Sequence, residues 1–312
     1  MLTTSDEIGI AQIDQCEAPA TPSDIGVGGL YRHAAACLAS GLCPLPAMRR
    51  EKRPSIDSWK EFQQRLPTED EISRWFEHEQ AAMCLVCGAV SGNLEMIDFD
   101  MGGEAFEAWH ESVEASAPGL LDRLVIESTP SGGRHVVYRC ESSVTRNTKL
   151  AQRRIVADDD QPVWVGNKSF VPWETPEGEW VVLVTLIETR GEGGLFLCAP
   201  SEGYELLQGE LCRPPVITAD ERDVLLGCAW ALDEATHEVV GASPVKDGSG
   251  GLRPGDDFNK RGDVHEILIR HGWKRVRAGE NEHWCRPGKA EGTSATLKDR
   301  VFYVFSSNAP PF

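Results

Sequence analysis

Basic residues are scarce in this chain: 31 Lys and Arg stand against 49 Asp and Glu, a formal charge of -18. Phosphate binding depends on positive charge, so a protein that coats nucleic acid with its whole surface is excluded and only a localised basic groove is left. No apolar run approaches the roughly 18 residues a membrane span requires, and no membrane partner is expected. The first 25 residues hold acidic side chains but no Lys or Arg, so the basic start and apolar centre of a secretory signal are missing. Residues 1–27 read as a mobile acidic tail on a cytoplasmic protein. No repeat of fixed period occurs, which disfavours solenoids and propellers. The ten cysteines are scattered. Cys84 and Cys87 form a Cys-x-x-Cys without a second pair at metal-ligand spacing, and His283 with Cys285 is equally isolated. Reduced thiols are therefore expected, rather than disulfides or structural zinc.

What is present suits a globular protein: 41% of residues are apolar and 26% charged, and 312 residues suffice for two domains. Residues 29–40 suit a helix, and Thr68 with Glu71 has capping-box spacing before a second helix at 68–76. Strands at 83–86 and 94–99, a helix at 103–115 and strands at 124–128 and 135–139 give a β-β-α-β-β alternation. The fold class is therefore α/β (α+β), a mixed sheet covered by helices. Residues 157–179 are rich in Asp, Gly and Pro but hold Trp164 and Trp173, which points to an ordered insertion. Strands follow at 180–187 and 195–198, and Arg213-Pro-Pro marks a boundary. Beyond it come a helix from Thr218 to about Thr236, a flexible loop at 241–255, a helix at 263–271 and a strand-like tail. Basic clusters occur at Arg49, Arg50, Lys52 and Arg53, at Arg146, Lys149, Arg153 and Arg154, and at Lys260, Arg261, Arg270, Lys274, Arg275 and Arg277.

Three strand ends carry chemistry. In Leu94-Glu-Met-Ile-Asp-Phe-Asp100 the strand period of two puts Asp98 and Asp100 on one face and Ile97 and Phe99 on the other. Paired carboxylates at the end of an apolar strand can share hard divalent cations, which keep coordination positions for substrate phosphates. Thr129-Pro-Ser-Gly-Gly-Arg-His135 is a glycine turn that presents backbone N–H groups, the Ser131 hydroxyl, Arg134 and His135, a set suited to phosphate. Taken alone it is equally a simple hairpin turn. Ile187-Glu-Thr-Arg-Gly-Glu-Gly-Gly194 offers Glu188 as a third metal ligand and Arg190 to a triphosphate. As a surface ion pair, Glu188–Arg190 would be worth less than about 1 kcal/mol.

In order and spacing these residues resemble the bifunctional primase-polymerase branch of the archaeo-eukaryotic primase superfamily, found in phage, plasmid and mobile-element replication proteins. The likeness runs from Lys52-Arg53-Pro54 and Ser58-Trp59, through Trp75 to Gly88, Ser91 and Gly92, to Ile97-Asp98-Phe99-Asp100. It continues at Ser131, Gly132, Gly133 and His135, then at Glu188, Arg190, Gly191, Gly193, Gly194, Pro200 and Ser201. The resemblance implies a catalytic domain at 28–212 with an RRM-like sheet joined to an N-terminal α/β unit, and a mainly helical accessory domain at 213–312. It implies that Asp98, Asp100 and Glu188 bind two Mg2+ or Mn2+ ions. Ser131, Gly132, Gly133, Arg134, His135, Arg190 and Lys52 would then surround the incoming nucleotide. The third acid is commonly Asp in that family, so Glu192 is an alternative to Glu188.

The implied partners are a single-stranded DNA template and primer, dNTPs or NTPs, and a helicase domain or protein C-terminal to this chain. Two rival readings keep the same residues: a metal-dependent nuclease in which His135 assists a water nucleophile, and a non-catalytic adaptor that binds DNA or a helicase.

Overall fold

The computed structural model describes residues 29–77, 82–235, 262–279, 281–290, 292–298 and 300–304. The acidic tail, the loop at 241–255 and the basic residues Lys260 and Arg261 lie outside the described residues.

Helix α1 (Gly29–Ala39) leads into strands β1 (Cys43–Met48) and β2 (Arg53–Pro54), helix α2 (Glu69–Phe76) and β3 (Ala82–Val86). Thr68 caps α2 as expected: its hydroxyl accepts from the Glu71 N–H, and the Glu71 carboxylate accepts from the Thr68 N–H at 2.8 Å. Strand β4 (Leu94–Phe99), helix α3 (Phe106–Ser116) and the hairpin of β5 (Val125–Ser128) and β6 (Arg134–Cys140) follow. Then come β7 (Lys149–Ala157), β8 (Val163–Val165), β9 (Lys168–Phe170), β10 (Trp173–Glu174) and β11 (Trp180–Arg190). The chain continues through β12 (Leu195–Leu197), β13 (Glu205–Gln208), β14 (Val216–Ile217) and helix α4 (Ala219–Trp230). Helix α5 (Val264–Arg270) precedes β15 (Lys274–Arg277), β16 (Asn281–Cys285), β17 (Ala295–Lys298) and β18 (Val301–Val304).

The main sheet runs β10-β11-β4-β6-β5-β13, with β7 also on β11 and β14 parallel to β6; a smaller sheet runs β12-β3-β1-β2. Alternation along β4 divides the interior. Ile97 and Phe99 enter a core built with Trp109 of α3 and Val224 and Leu225 of α4. Leu94 and Met96 point the other way, into a core shared with α1, α2 and Phe196. Asp98 continues the Leu94–Met96 row, so it faces the side of the sheet where the second layer lies.

Two sequence expectations need correction. Among its described residues, region 213–312 is not mainly helical: β15 to β18 form a four-stranded antiparallel sheet around Trp273, Trp284 and Leu297. These strands are short, and β15 is fully exposed along Lys-Arg-Val-Arg, so apolar alternation is too sparse to signal them. Helix α4, placed beyond the boundary by Arg213-Pro-Pro, packs into the same core as Phe99, and the Trp109 indole N–H donates to the Leu225 carbonyl at 2.9 Å.

The basic cluster at 146–154 is largely β7, the long antiparallel partner of β11. Its Arg153 pairs with Glu104 and Glu234, and Arg154 pairs with Glu179. The insertion after it is ordered, as expected, and holds the β8–β9 hairpin. Cys84 and Cys87 are three apart on or beside a strand, and accordingly enter different cores.

Candidate active site

Register across the main sheet assembles the site. Glu188 on β11 pairs with Asp98 on β4, Asp98 pairs with His135 on β6, and His135 pairs with Glu127 on β5. Four strands therefore set Glu188, Asp98, His135 and Glu127 in one transverse row. Asp100 joins from just past β4, where its N–H donates to the Leu186 carbonyl at 2.9 Å. Met101, with φ 55°, and Gly102, with φ 73°, then turn the chain away; a left-handed methionine is uncommon and needs its surroundings to hold it.

Asp98, Asp100 and Glu188 bring carboxylate oxygens within 4.8 Å of one another. Burial pushes the Asp98 carboxyl above its ordinary range against the pull of His135, and the charge of Asp100 adds to the rise. Burial also raises Glu188, countered chiefly by Arg190. Three converging carboxylates that are costly to ionise together form an oxygen donor set that a hard divalent cation satisfies. The residues fit Mg2+ or Mn2+.

His135 is nearly closed off from solvent. Burial disfavours its charged form, but the Glu127 carboxylate at 2.7 Å from Nδ1 and the nearby Asp98 outweigh this, and the imidazole ends above its ordinary value. Glu127 is itself anchored, because its second oxygen accepts from the Ala199 N–H at 2.9 Å. Nδ1 is thereby committed to Glu127, while Nε2 points toward Asp98, 3.6 Å away.

The row borders a cleft of about 360 Å3 lined by Lys52, Arg53, Trp59, Asp98, His135, Asn147, Arg190 and Tyr204 among others. That volume is within the usual range for small-molecule sites, about 300–1,000 Å3. Lys52 has a left-handed backbone at φ 49°. A second cleft continues past Asn147 and Gly193 to Arg146, Gln63 and Gln64.

Of the residues singled out in the sequence, Asp98, His135, Arg190 and Lys52 line the first cleft, and Asp100 and Glu188 complete the acidic cluster. The turn is placed differently. Ser131 is exposed beside Thr129, with the two hydroxyls 3.1 Å apart, and Arg134 donates to the carbonyls of Gly132 and Gly133. Gly133 has no room for a side chain: a Cβ would collide with the Phe99 carbonyl oxygen. Glu192 stands apart from the cluster, and its carboxylate accepts from the Ala89 N–H at 2.8 Å.

Sequence reasoning missed Glu127, whose only signal is an acid in an apolar strand. It also missed Lys168, at the start of β9, which donates to Asp100 at 2.8 Å and carries no signal at all. Nor did it find the pair of buried Glu95 and Arg222, 2.5 Å apart, in which Glu95 also accepts from the Tyr138 hydroxyl.

Fold and site together define a class: a mixed α/β protein whose central sheet carries a triad of acids beside a cleft with cationic walls. Residues 34–219, more than half of the chain, match the family of bifunctional DNA primase/polymerase N-terminal domains, and the chain belongs to that family. No curated protein matches it. The family is metal-dependent and acts on DNA and nucleotides, so the chain is a primase/polymerase-type nucleotidyltransferase at that general level. No described helix is long and apolar enough to cross a membrane.

Proposed function

We propose that this chain makes primers and extends them on a single-stranded DNA template, using dNTPs or NTPs, in the replication of a phage, plasmid or other mobile element. The observation that carries this reading is the transverse row: Glu188, Asp98 and His135 are register partners, beside a cleft that also holds Lys52, Arg53 and Arg190. A nuclease needs only the acids and a water; an acid triad that runs into a wall of cations suits a triphosphate.

In the reaction, the 3′-hydroxyl of the primer or initiating nucleotide gives its proton to water, its oxygen bonds to the α-phosphorus, the α–β bridging bond breaks, and pyrophosphate leaves. Two Mg2+ or Mn2+ ions held by Asp98, Asp100 and Glu188 would supply stabilisation of the attacking and departing oxygens. His135, fixed through Nδ1 by Glu127, presents Nε2–H to a phosphate oxygen. Arg190 and Lys52 neutralise the remaining phosphate charge, and Trp59 and Tyr204 give the cleft apolar walls. Arg146, which lines the neighbouring cleft, would meet the template backbone.

The test is extension of a labelled primer on single-stranded DNA with Mg2+ or Mn2+ and dNTPs, wild type against Asp98→Asn/Asp100→Asn. Metal-dependent extension lost in the double variant supports the proposal. Shortening of the DNA without triphosphates would replace it with the nuclease. Equal DNA binding by both proteins with no synthesis would replace it with the adaptor.

A further inference from the structure

A second group of side chains with ligand chemistry lies away from the acidic cleft. His33 and Cys37 are four residues apart on α1, so they project from one face of that helix. Cys212, in the turn after β13, meets them there. Its Sγ is 3.0 Å from Cys37 Sγ and 3.4 Å from His33 Nε2. The three residues can offer ligand atoms all within 4.8 Å of one another. Cys37 is buried among Ala34, Leu42, Phe76 and Leu211, while His33 and Cys212 form a half-buried rim.

Zn–S bonds of about 2.3 Å and Zn–N bonds of about 2.0–2.1 Å put tetrahedral ligand atoms roughly 3.5–3.8 Å apart. The His33–Cys212 separation is already close to this, and the two sulfurs would have to part by less than about 1 Å. A disulfide, with sulfurs about 2.05 Å apart, would require them to close by a similar amount and would leave the imidazole without a role. An ion uses all three groups.

We propose that His33, Cys37 and Cys212 bind a thiophilic divalent cation, Zn2+ first among them, which ties α1 to the chain leaving β13. The fourth position opens on the half-buried rim, where solvent or Glu210, two residues before Cys212, completes a tetrahedron. Thiolate and imidazole select Zn2+ where the carboxylates of the cleft select Mg2+ or Mn2+, so the two sites sort their ions by donor softness. The link also closes a very long loop, between a helix at the start of the family match and a turn near its end. Binding free energy at such a site is folding free energy.

The test uses the full chain, reduced and purified without chelator, in three forms: wild type, Cys212→Ser and Asp98→Asn/Asp100→Asn. Elemental analysis is expected to find one zinc per chain in wild type and in the carboxylate variant, and none in Cys212→Ser. Replacement by Co2+ is expected to give thiolate-to-cobalt charge-transfer absorption in wild type, with Co2+ affinity at least ~100-fold lower in Cys212→Ser. Should Cys212→Ser fail to fold, the wild-type cobalt spectrum decides alone: absence of charge-transfer absorption in reduced, folded protein overturns the proposal. A mass two hydrogens lower in unreduced wild type, restored by dithiothreitol and absent from Cys212→Ser, would overturn it in favour of a disulfide.

Discussion

Asp98 is held where its negative charge is unwelcome, partly buried and within 4.8 Å of the carboxylates of Glu188 and Asp100. Its raised carboxyl means that, without metal, the folded chain binds protons more readily than the unfolded chain just above the ordinary carboxylate range. Stability in chelator should therefore fall as pH rises through that window. The Asp98→Asn variant should show a shallower fall, the remainder coming from Glu188, whose carboxyl burial also raises, and should melt higher than wild type near neutrality, while Mg2+ or Mn2+ should narrow the difference. The same substitution should cost on the order of 10^3-fold in extension rate, since metal stabilisation of the transition state is worth several kcal/mol; melting curves and single-turnover rates check the two halves. Glu127 acts one step further back, as a positioning residue for His135. Glu127→Gln removes the charge that keeps the imidazole above its ordinary value. KM for dNTP should rise about 10-fold, the loss of a hydrogen bond to a charged group worth about 1.5 kcal/mol, and the alkaline limb of the kcat/KM profile should move to lower pH. An unchanged profile would mean that His135 is not charged when it meets the nucleotide.

At the scale of elements, the β8–β9 hairpin reaches across to the acids through Lys168. Its ammonium and Asp100 are both partly exposed, so their pairing is worth at most about 1 kcal/mol. Lys168→Ala should lower the half-saturating metal concentration by no more than about 5-fold, read from a Mn2+ titration of extension. Gly133 is fixed more strictly, and Gly133→Ala should cost about 2–4 kcal/mol and splay the β4–β6 end, seen as a lower denaturant midpoint together with weaker metal binding. These elements differ in how legible they were. β4 and the Ser131–His135 turn could be read because a period of two and paired glycines are local signals. The hairpin's docking on Asp100 is tertiary, and no local pattern encodes it. Glu127 was invisible for a related reason: its partner stands across a hairpin, and only register brings them together. Glu188 and Glu192 could not be separated in sequence, because the choice depends on which of them lies opposite Asp98.

For the whole molecule, the core under the main sheet extends past the proline pair at Pro214. α4 supplies Val224, Leu225 and Leu226 to the core under β4, and Arg222 neutralises Glu95, which has no solvent exposure. A chain ended at residue 213 should fail to fold, whereas one ended at 235 should give a cooperative transition; limited proteolysis and circular dichroism distinguish them. Arg222→Ala in the full chain should destabilise by about 3–5 kcal/mol, because it strands a buried carboxylate.

The transverse row also orders events in time. Asp98, Asp100 and His135 leave the ribosome before Glu188, and α4, which completes the core beneath them, follows later still. At about 5–20 residues per second, roughly 4–20 s separate the emergence of Asp100 from that of Glu188. During that interval the nascent chain carries two of its acids without the third, and has neither β11 nor α4 to fix their strand. The acid triad is thus a feature the chain acquires only near the end of this unit's synthesis, and a half-made copy lacks the complete donor set proposed to hold the metal.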